Sequence, residues 1–317
     1  MHVYGGAKGY GRIPKYIRLR HVYRWSRFPV WSRKLGALTV PAAAGNTKRQ
    51  IKFITDFGTT CLHIIPSYAT RLAEVMYEEG IDPRKDTKLH TVCIGAEPHS
   101  EEQRKRIEQL LGVKAYNCFG MSEMNGPGVA FECTEQNGLH IWEDNVIVEI
   151  VDPVTLQPVP EGEVGELVLT TINREAMPLL RYRTRDLTCI LPGDCPCGRT
   201  HKRLARFKGR SDDMIILKGV NLFPIQIEKI LMQFKELGSN YLITLETIGN
   251  SDEMLIEVEL SDLFTDDYSA LQRLTKGITR QLKDELLLTP RIKLVAKGSL
   301  PTTDGKAVRV KDHRKLC

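Results

Sequence analysis

No run of this chain approaches the roughly 18 consecutive apolar residues of a membrane-spanning helix, and it has neither an internal repeat nor a low-complexity tract. The first absence excludes a helical membrane protein; the second excludes a solenoid or a long solvated tail. Acidic residues are missing altogether from residues 1–34, which hold nine basic ones (Lys8, Arg12, Lys15, Arg18, Arg20, Arg24, Arg27, Arg33 and Lys34). The formal charge of the 317-residue chain is +6, from 45 Lys+Arg and 39 Asp+Glu, so the rest of it has a net charge of −3. A basic pI is therefore no sign of general affinity for nucleic acid. Such affinity would rest on the leader alone, where Tyr16, Tyr23, Trp25 and Trp31 interleave with arginine; no nucleic-acid partner is expected. The leader has no apolar core, so it is a poor secretory signal, and its scarce serine makes only a loose likeness to a transit peptide.

Composition is otherwise that of an ordinary globular protein, 42% hydrophobic and 26% charged, with length enough for two domains. Eight cysteines (61, 93, 118, 133, 189, 195, 197 and 317) in a chain this long do not read as a secreted disulfide framework. A reducing compartment, the cytoplasm, is expected. Cys195 and Cys197, one residue apart in a Gly/Pro-rich stretch, point to a metal. With Cys133 and His140 they make a Cys₃His set that suits a closed, structural tetrahedral Zn²⁺, and His201 competes with His140 for the fourth place.

Hydrophobic spacing predicts a short strand at Leu38–Pro41, a helix from Thr47 to Phe57 and a strand at His63–Pro66. A helix over Ser67–Glu79, with Ser67 as N-cap, is followed by a strand at Leu89–Ile94, a helix over Ser100–Leu111 and a strand at Lys114–Cys118. Strands alternating with long helices imply a largely parallel α/β lobe, with chemistry in the loops after the strands. After Glu143 the pattern becomes antiparallel β (Val146–Val151, Gly165–Thr171). Beyond Arg210–Asp213 comes a smaller α+β unit: a strand at Met214–Leu217, a helix over Pro224–Phe234 and a strand pair at Tyr241–Thr247 and Met254–Leu260. Then come a helix over Tyr268–Leu287, a strand at Ile292–Val295 and a polar tail loop, Thr302–Lys306.

Three strings carry chemistry. Phe119-Gly120-Met121-Ser122-Glu123 follows a predicted strand; alone it is a tight turn with an exposed carboxylate. Arg181-Tyr182-Arg183-Thr184-Arg185-Asp186 sets one acid among three arginines. Such an acid is ionised and its two oxygens can accept from the vicinal hydroxyls of a ribose, although an ion-paired loop reads the same way. Gly209-Arg210-Ser211-Asp212-Asp213 taken singly is a charged linker.

In this order, and with Pro66-Ser67-Tyr68, Gly95-Ala96-Glu97-Pro98, Tyr116 through Glu132, Ile141–Asp144 and Gly305-Lys306-Ala307, they resemble the phenylacetate–CoA ligase family of the adenylate-forming enzymes. The resemblance covers residue 35 to the C-terminus. It implies an α/β fold: an unmatched leader over 1–34, part of a large adenylation domain over 35–211 and a smaller mobile α+β domain over 212–317. The implied reaction is ATP-dependent: a carboxylic acid attacks the α-phosphate, and coenzyme A then displaces AMP. Under that resemblance Glu123 would hold Mg²⁺ and Ser122 would meet the phosphate or nucleotide. Gly95, Ala96, Glu97, Tyr116, Phe119 and Gly120 would line the nucleotide site, Asp186 would bind the ribose, and Tyr68 would line the acyl pocket. Arg210 would reach a phosphate, Lys306 would stabilise charge during adenylation, and Asp212 would be the hinge. The implied partners are a small carboxylic acid, ATP and CoA, with a homodimer compatible.

A Ser/Thr/Gly-rich phosphate loop ending in Gly-Lys, which the resemblance leads one to expect upstream of Pro66-Ser67-Tyr68, is missing. The leader stands where it would be sought, so the expectation is a chain lacking the family's phosphate-loop portion. Two other readings follow: an impaired remnant that only binds nucleotide or CoA, and an adenylyltransferase acting on a deazaflavin coenzyme.

Overall fold

The computed structural model describes residues 36–40, 42, 46–124, 126–249, 251–261, 268–301 and 307–314. Among them the chain divides into two compact units. One ends at Asp212 and the other runs from Asp213, with the short stretch His99–Arg106 grouped with the second. The leader and the Thr302–Lys306 loop lie outside the described residues.

The first unit opens with helix α1 (Thr47–Asp56), strand β1 (Cys61–Ile64), helix α2 (Pro66–Glu78), a short turn of helix α3 (Pro83–Asp86) and β2 (Thr91–Gly95). Helix α4 (Glu101–Leu111) leads to β3 (Lys114–Met121). In α2, Pro66 fills the first turn, where its missing N–H costs nothing. Ala69, Leu72, Ala73 and Met76 recur at helical spacing and are fully buried or nearly so. Removing side chains the size of Leu72 and Met76 from water contributes about 1.5–3 kcal/mol each. Strands β1, β2 and β3 pair in parallel, as the βαβ alternation predicts.

From β3 onward the ladder turns antiparallel. β4 (Gly126–Glu132), β5 (Leu139–Ile141), β9 (Ile190–Leu191) and β10 (Arg203–Leu204) complete a seven-stranded sheet in the order β1-β2-β3-β4-β5-β10-β9. A second, all-antiparallel sheet has the order β11-β8-β7-β6, built from β6 (Val146–Val151), β7 (Gly165–Thr171), β8 (Tyr182–Thr188) and β11 (Gly209–Arg210). One apolar cluster, including Val129, Leu139, Leu167 and Leu169, joins the two sheets, and Phe119, Met121, Tyr182 and Phe207 pack on it.

Two expectations are corrected. Residues 38–40 form no strand: Leu38 is 55% exposed, so the burial that would favour one there does not occur. Ser67 is not the N-cap of α2, because the helix begins one residue earlier with Ile65 as its cap residue. Glu97 supplies the capping oxygens instead, accepting from the Ser67 N–H at 3.1 Å and its hydroxyl at 2.9 Å.

The second unit holds β12 (Ile215–Leu217), β13 (Val220–Leu222), helix α5 (Pro224–Leu231), β14 (Leu237–Ile248), β15 (Ser251–Leu260), helix α6 (Tyr268–Leu286), β16 (Arg291–Val295) and β17 (Val310–Asp312). Its main sheet runs β16-β15-β14-β17. Leu274, Ile278, Leu282 and Leu286 form the buried stripe of α6 in this unit's core. Arg309, at the foot of β17, lies over the Tyr241 ring (4.4 Å) and donates to Asn240 Oδ1.

Candidate functional site

Parallel pairing of β2 with β3 puts Gly95 beside Cys118, so the Gly95–Glu97 loop and the Tyr116–Gly120 segment meet at the ends of adjacent strands. The approach is close: a Cβ on residue 95 would lie 2.2 Å from the Cys118 carbonyl oxygen, which only glycine avoids. Ala96 takes φ +67°, a left-handed conformation costly for a residue with a side chain, and it is exposed. Glu97 turns back to clamp the start of α2. Tyr68 sits on that helix, its hydroxyl 2.8 Å from the Thr47 hydroxyl.

The Phe119-Gly120-Met121 string is the end of β3 and not a loop after it; Ser122 and Glu123 follow in one turn of 3₁₀ helix (Ser122–Met124), both exposed. Arg174 donates to the Glu123 carbonyl, and the rings of Phe119 and Phe207 stack at 4.4 Å. Sequence reasoning had no signal for Phe207, an unremarked aromatic in a connecting segment.

Asp186 and Arg210, 24 positions apart, lie directly opposite each other in the β8–β11 ladder. The Arg210 guanidinium grips Asp212 with two bonds of 2.9 and 2.8 Å, and this holds the Asp212 carboxyl below its usual range. Arg185, just before Asp186, has φ +69°. Beneath them is a buried acid the sequence reading missed. Glu166 is 0% exposed and takes a bidentate fork from Arg183 (2.9 and 2.7 Å), with Arg185 at 3.8 Å. Burial would raise its carboxyl, but the Arg183 fork and the Arg185 charge hold it below the ordinary carboxylate range. A charge in the otherwise apolar Leu167-Val168-Leu169 strand was the available signal. Lys306 lies outside the described residues.

The second constellation is the Cys/His set. Cys133, His140, Cys195 and Cys197 bring their ligand atoms within 4.8 Å of one another. Cys133 and Cys195 sulfurs are 3.6 Å apart, and His140 Nε2 is 3.4 Å from the Cys197 sulfur. A tetrahedral zinc with ordinary bond lengths needs about 3.8 Å between sulfurs and about 3.6 Å from sulfur to nitrogen, so the donors fit that ion. His140 Nδ1 is 3.1 Å from the His201 carbonyl oxygen, which can only accept, so the neutral ring carries its proton there and turns a bare Nε2 to the thiols. His201 thus contributes its backbone, while its ring packs edge-on against Trp142. Burial pushes the Cys133 thiol up to about 12. At Cys197 burial also opposes charge, yet the Arg199 backbone N–H and guanidinium, with the neighbouring thiols, bring it down to about 7. Arg203, another residue missed in sequence, is buried and donates to the carbonyls of Asn137, Gly193 and Asp194, which fixes the loop leading to Cys195.

A parallel α/β ladder running into antiparallel sheets, with these strings at the strand ends, is the architecture of an adenylate-forming enzyme. The chain belongs to the AMP-binding enzyme family: residues 9–173 match that family and residues 219–314 match the AMP-binding enzyme C-terminal domain. The first match begins inside the basic leader. Among its relatives are a phenylacetate-coenzyme A ligase of Thermus thermophilus, 42% identical over 296 residues (89% of this chain, 66% of the relative), and one of Escherichia coli, 38% identical over 287 residues (90% and 65%). A crystal structure of 2-hydroxyisobutyryl-CoA ligase with an acyl-adenylate superposes with a TM-score of 0.86 at 29% identity, covering 94% of this chain and 65% of that one. The chain thus spans slightly less than two thirds of the length of these relatives. No helix among the described residues is long and apolar enough to cross a membrane.

Proposed function

We propose that this chain carries the nucleotide-binding and C-terminal parts of an AMP-forming acid–CoA ligase that acts on an aryl acetic acid of the phenylacetate type. The observation that carries the reading is the ladder that sets Asp186 opposite Arg210, in a chain whose relatives at about 40% identity are phenylacetate–CoA ligases. In this reading ATP lies across the strand ends. Gly95, Ala96, Tyr116, Phe119 and Gly120 surround the base, with Glu97 holding their loop against α2; Ser122 meets the phosphates and Asp186 accepts from the ribose hydroxyls. Glu123 is the carboxylate suited to Mg²⁺, which would neutralise phosphate charge. Arg210 must exchange Asp212 for a phosphate, a swap of one oxyanion for another that costs little in solvent. Tyr68 borders the acyl group, Asp212 is the hinge and Lys306 supplies the positive charge for adenylation. Cys133, His140, Cys195 and Cys197 would hold a structural Zn²⁺ with every position filled.

Pyrophosphate release from ATP with phenylacetate and CoA tests the reaction. Turnover that needs the acid, and falls at least about 100-fold in Lys306→Ala, is the expected result. No release with any member of an aryl-acid panel, alongside measurable AMP binding, would overturn it. Zinc is checked separately by metal analysis, with about one ion per chain expected.

A further inference from the structure

Glu132 is a buried carboxylate that neither the proposed reaction nor the metal set uses, and it lies between them. It ends β4, and the next residue is the thiol ligand Cys133. One of its oxygens accepts the backbone N–H of Asn117, on β3, at 2.7 Å. The other faces the Arg206 guanidinium at 3.7 Å. Both contacts lead to the same place. Asn117 is two residues before Phe119 on the strand that leads into Ser122 and Glu123, and Arg206 is followed by Phe207, whose ring packs against Phe119. From the metal side, His140 pairs with Phe131 across β5 and β4, and with Arg203 across β5 and β10. The four ligands therefore tie together the strands that fix Glu132 on one side and Arg206 on the other. A buried acid in a polar network is held by every group around it, and here those groups sit on or beside the ligand-bearing strands.

We propose that Glu132 is a positioning residue for the nucleotide strand and that the Cys₃His set holds it in place, so that zinc occupancy and nucleotide affinity are linked. This rests on the nucleotide and zinc readings above. Linkage of binding equilibria is reciprocal, so AMP must strengthen zinc binding by the same factor by which zinc strengthens AMP binding.

The test is AMP affinity by calorimetry on the full chain, at a temperature well below unfolding, with zinc content measured on each sample. Wild-type protein loaded with zinc, the same protein after chelation, Glu132→Ala and Glu132→Gln are compared. Chelation is expected to weaken AMP about tenfold. Glu132→Ala should match that loss while keeping its zinc, and Glu132→Gln should lose less, because the amide oxygen can still accept from Asn117. A residue that only stabilised the fold would lower the melting temperature and leave the AMP affinity unchanged. Wild type that binds both zinc and AMP, with the same AMP affinity in all four samples, overturns this inference alone. Wild type that binds no AMP, or no zinc, overturns the corresponding reading above and this inference with it.

Discussion

Glu166 and Lys202 show how far the worth of an ion pair depends on its depth. The Lys202–Glu161 pair is 2.6 Å long, with both side chains 52% exposed. Its Coulomb gain is set against water and side-chain entropy, so Lys202→Ala is expected to cost under about 1 kcal/mol. Glu166 has no exposure at all, and its Arg183 partner is 30% exposed. Removing the acid leaves a cation aimed into a dry strand, a change that costs about 3–5 kcal/mol when both partners are buried. Part of the Arg183 guanidinium can reach solvent, so Glu166→Gln should fall near the lower end, about 2–3 kcal/mol. Urea unfolding of the two variants checks the contrast, and equal losses would contradict it. The same substitution should weaken AMP binding, because Glu166 anchors the strand that presents Asp186.

Strands, helices and the cysteine loop differ in how much of them the sequence discloses. Period-3.6 spacing made α2 legible to within a residue, though Pro66 read as the end of a strand and not as the helix's first turn, and the stripe Leu274–Leu286 did the same for α6. The reading stumbled where backbone geometry outranks side-chain pattern. Phe119–Met121 lacks alternation and reads as a tight turn, yet the β4 ladder extends it as strand. Ser67 has the chemistry of a cap, but Glu97, thirty residues on, reaches the helix end first. Pairing of this kind depends on sheet register, which no local window contains. Gly95 is the sharpest case, since nothing in its string tells of the Cys118 carbonyl beside it. Gly95→Ala should force β2 and β3 apart, with a loss of about 1–3 kcal/mol and loss of AMP binding. Wild-type stability in that variant would show that the strands can yield. The Cys₃His cluster was legible because soft donors at short spacing have few other uses. Of His140 and His201, which spacing left open, it is His140 whose Nε2 faces the thiols. Cys195→Ser should remove zinc and lower the melting temperature, since closed sites of this type contribute directly to folding, and an unchanged melting temperature would deny the ion a structural role.

Each of the two units carries a group whose pKa desolvation shifts, and the two respond to acid in opposite senses. In the first unit His63 lies on β1 with Nε2 3.2 Å from the Cys118 sulfur, and burial lowers its pKa to about 4 from an ordinary 6.5. Folding therefore favours the neutral ring. Its contribution is complete above pH 6.5 and drains away as the pH falls towards 4, by at most about 3 kcal/mol, less because the ring is only half-buried. In the second unit burial raises the Glu228 carboxyl, against N–H donation from Ser100, the Arg309 charge and the Tyr241 hydroxyl. A raised carboxyl contributes stability that is present in acid and lost as the pH rises through its folded pKa. The lowered acids Glu166 and Asp212 begin to matter only below their ordinary values of 4.5 and 3.8. Between pH 6.5 and 4.5 the first unit should therefore weaken while the second does not. None of the three tryptophans lies beyond Asp212, and Trp142, the one among the described residues, belongs to the first unit, so its fluorescence is the signal to follow. Its urea midpoint should fall across that window in the wild type and fall less steeply in His63→Gln, where the buried His140 ring of the same unit, also lowered from 6.5, keeps part of the slope. Parallel slopes in the two proteins would place the acid sensitivity elsewhere.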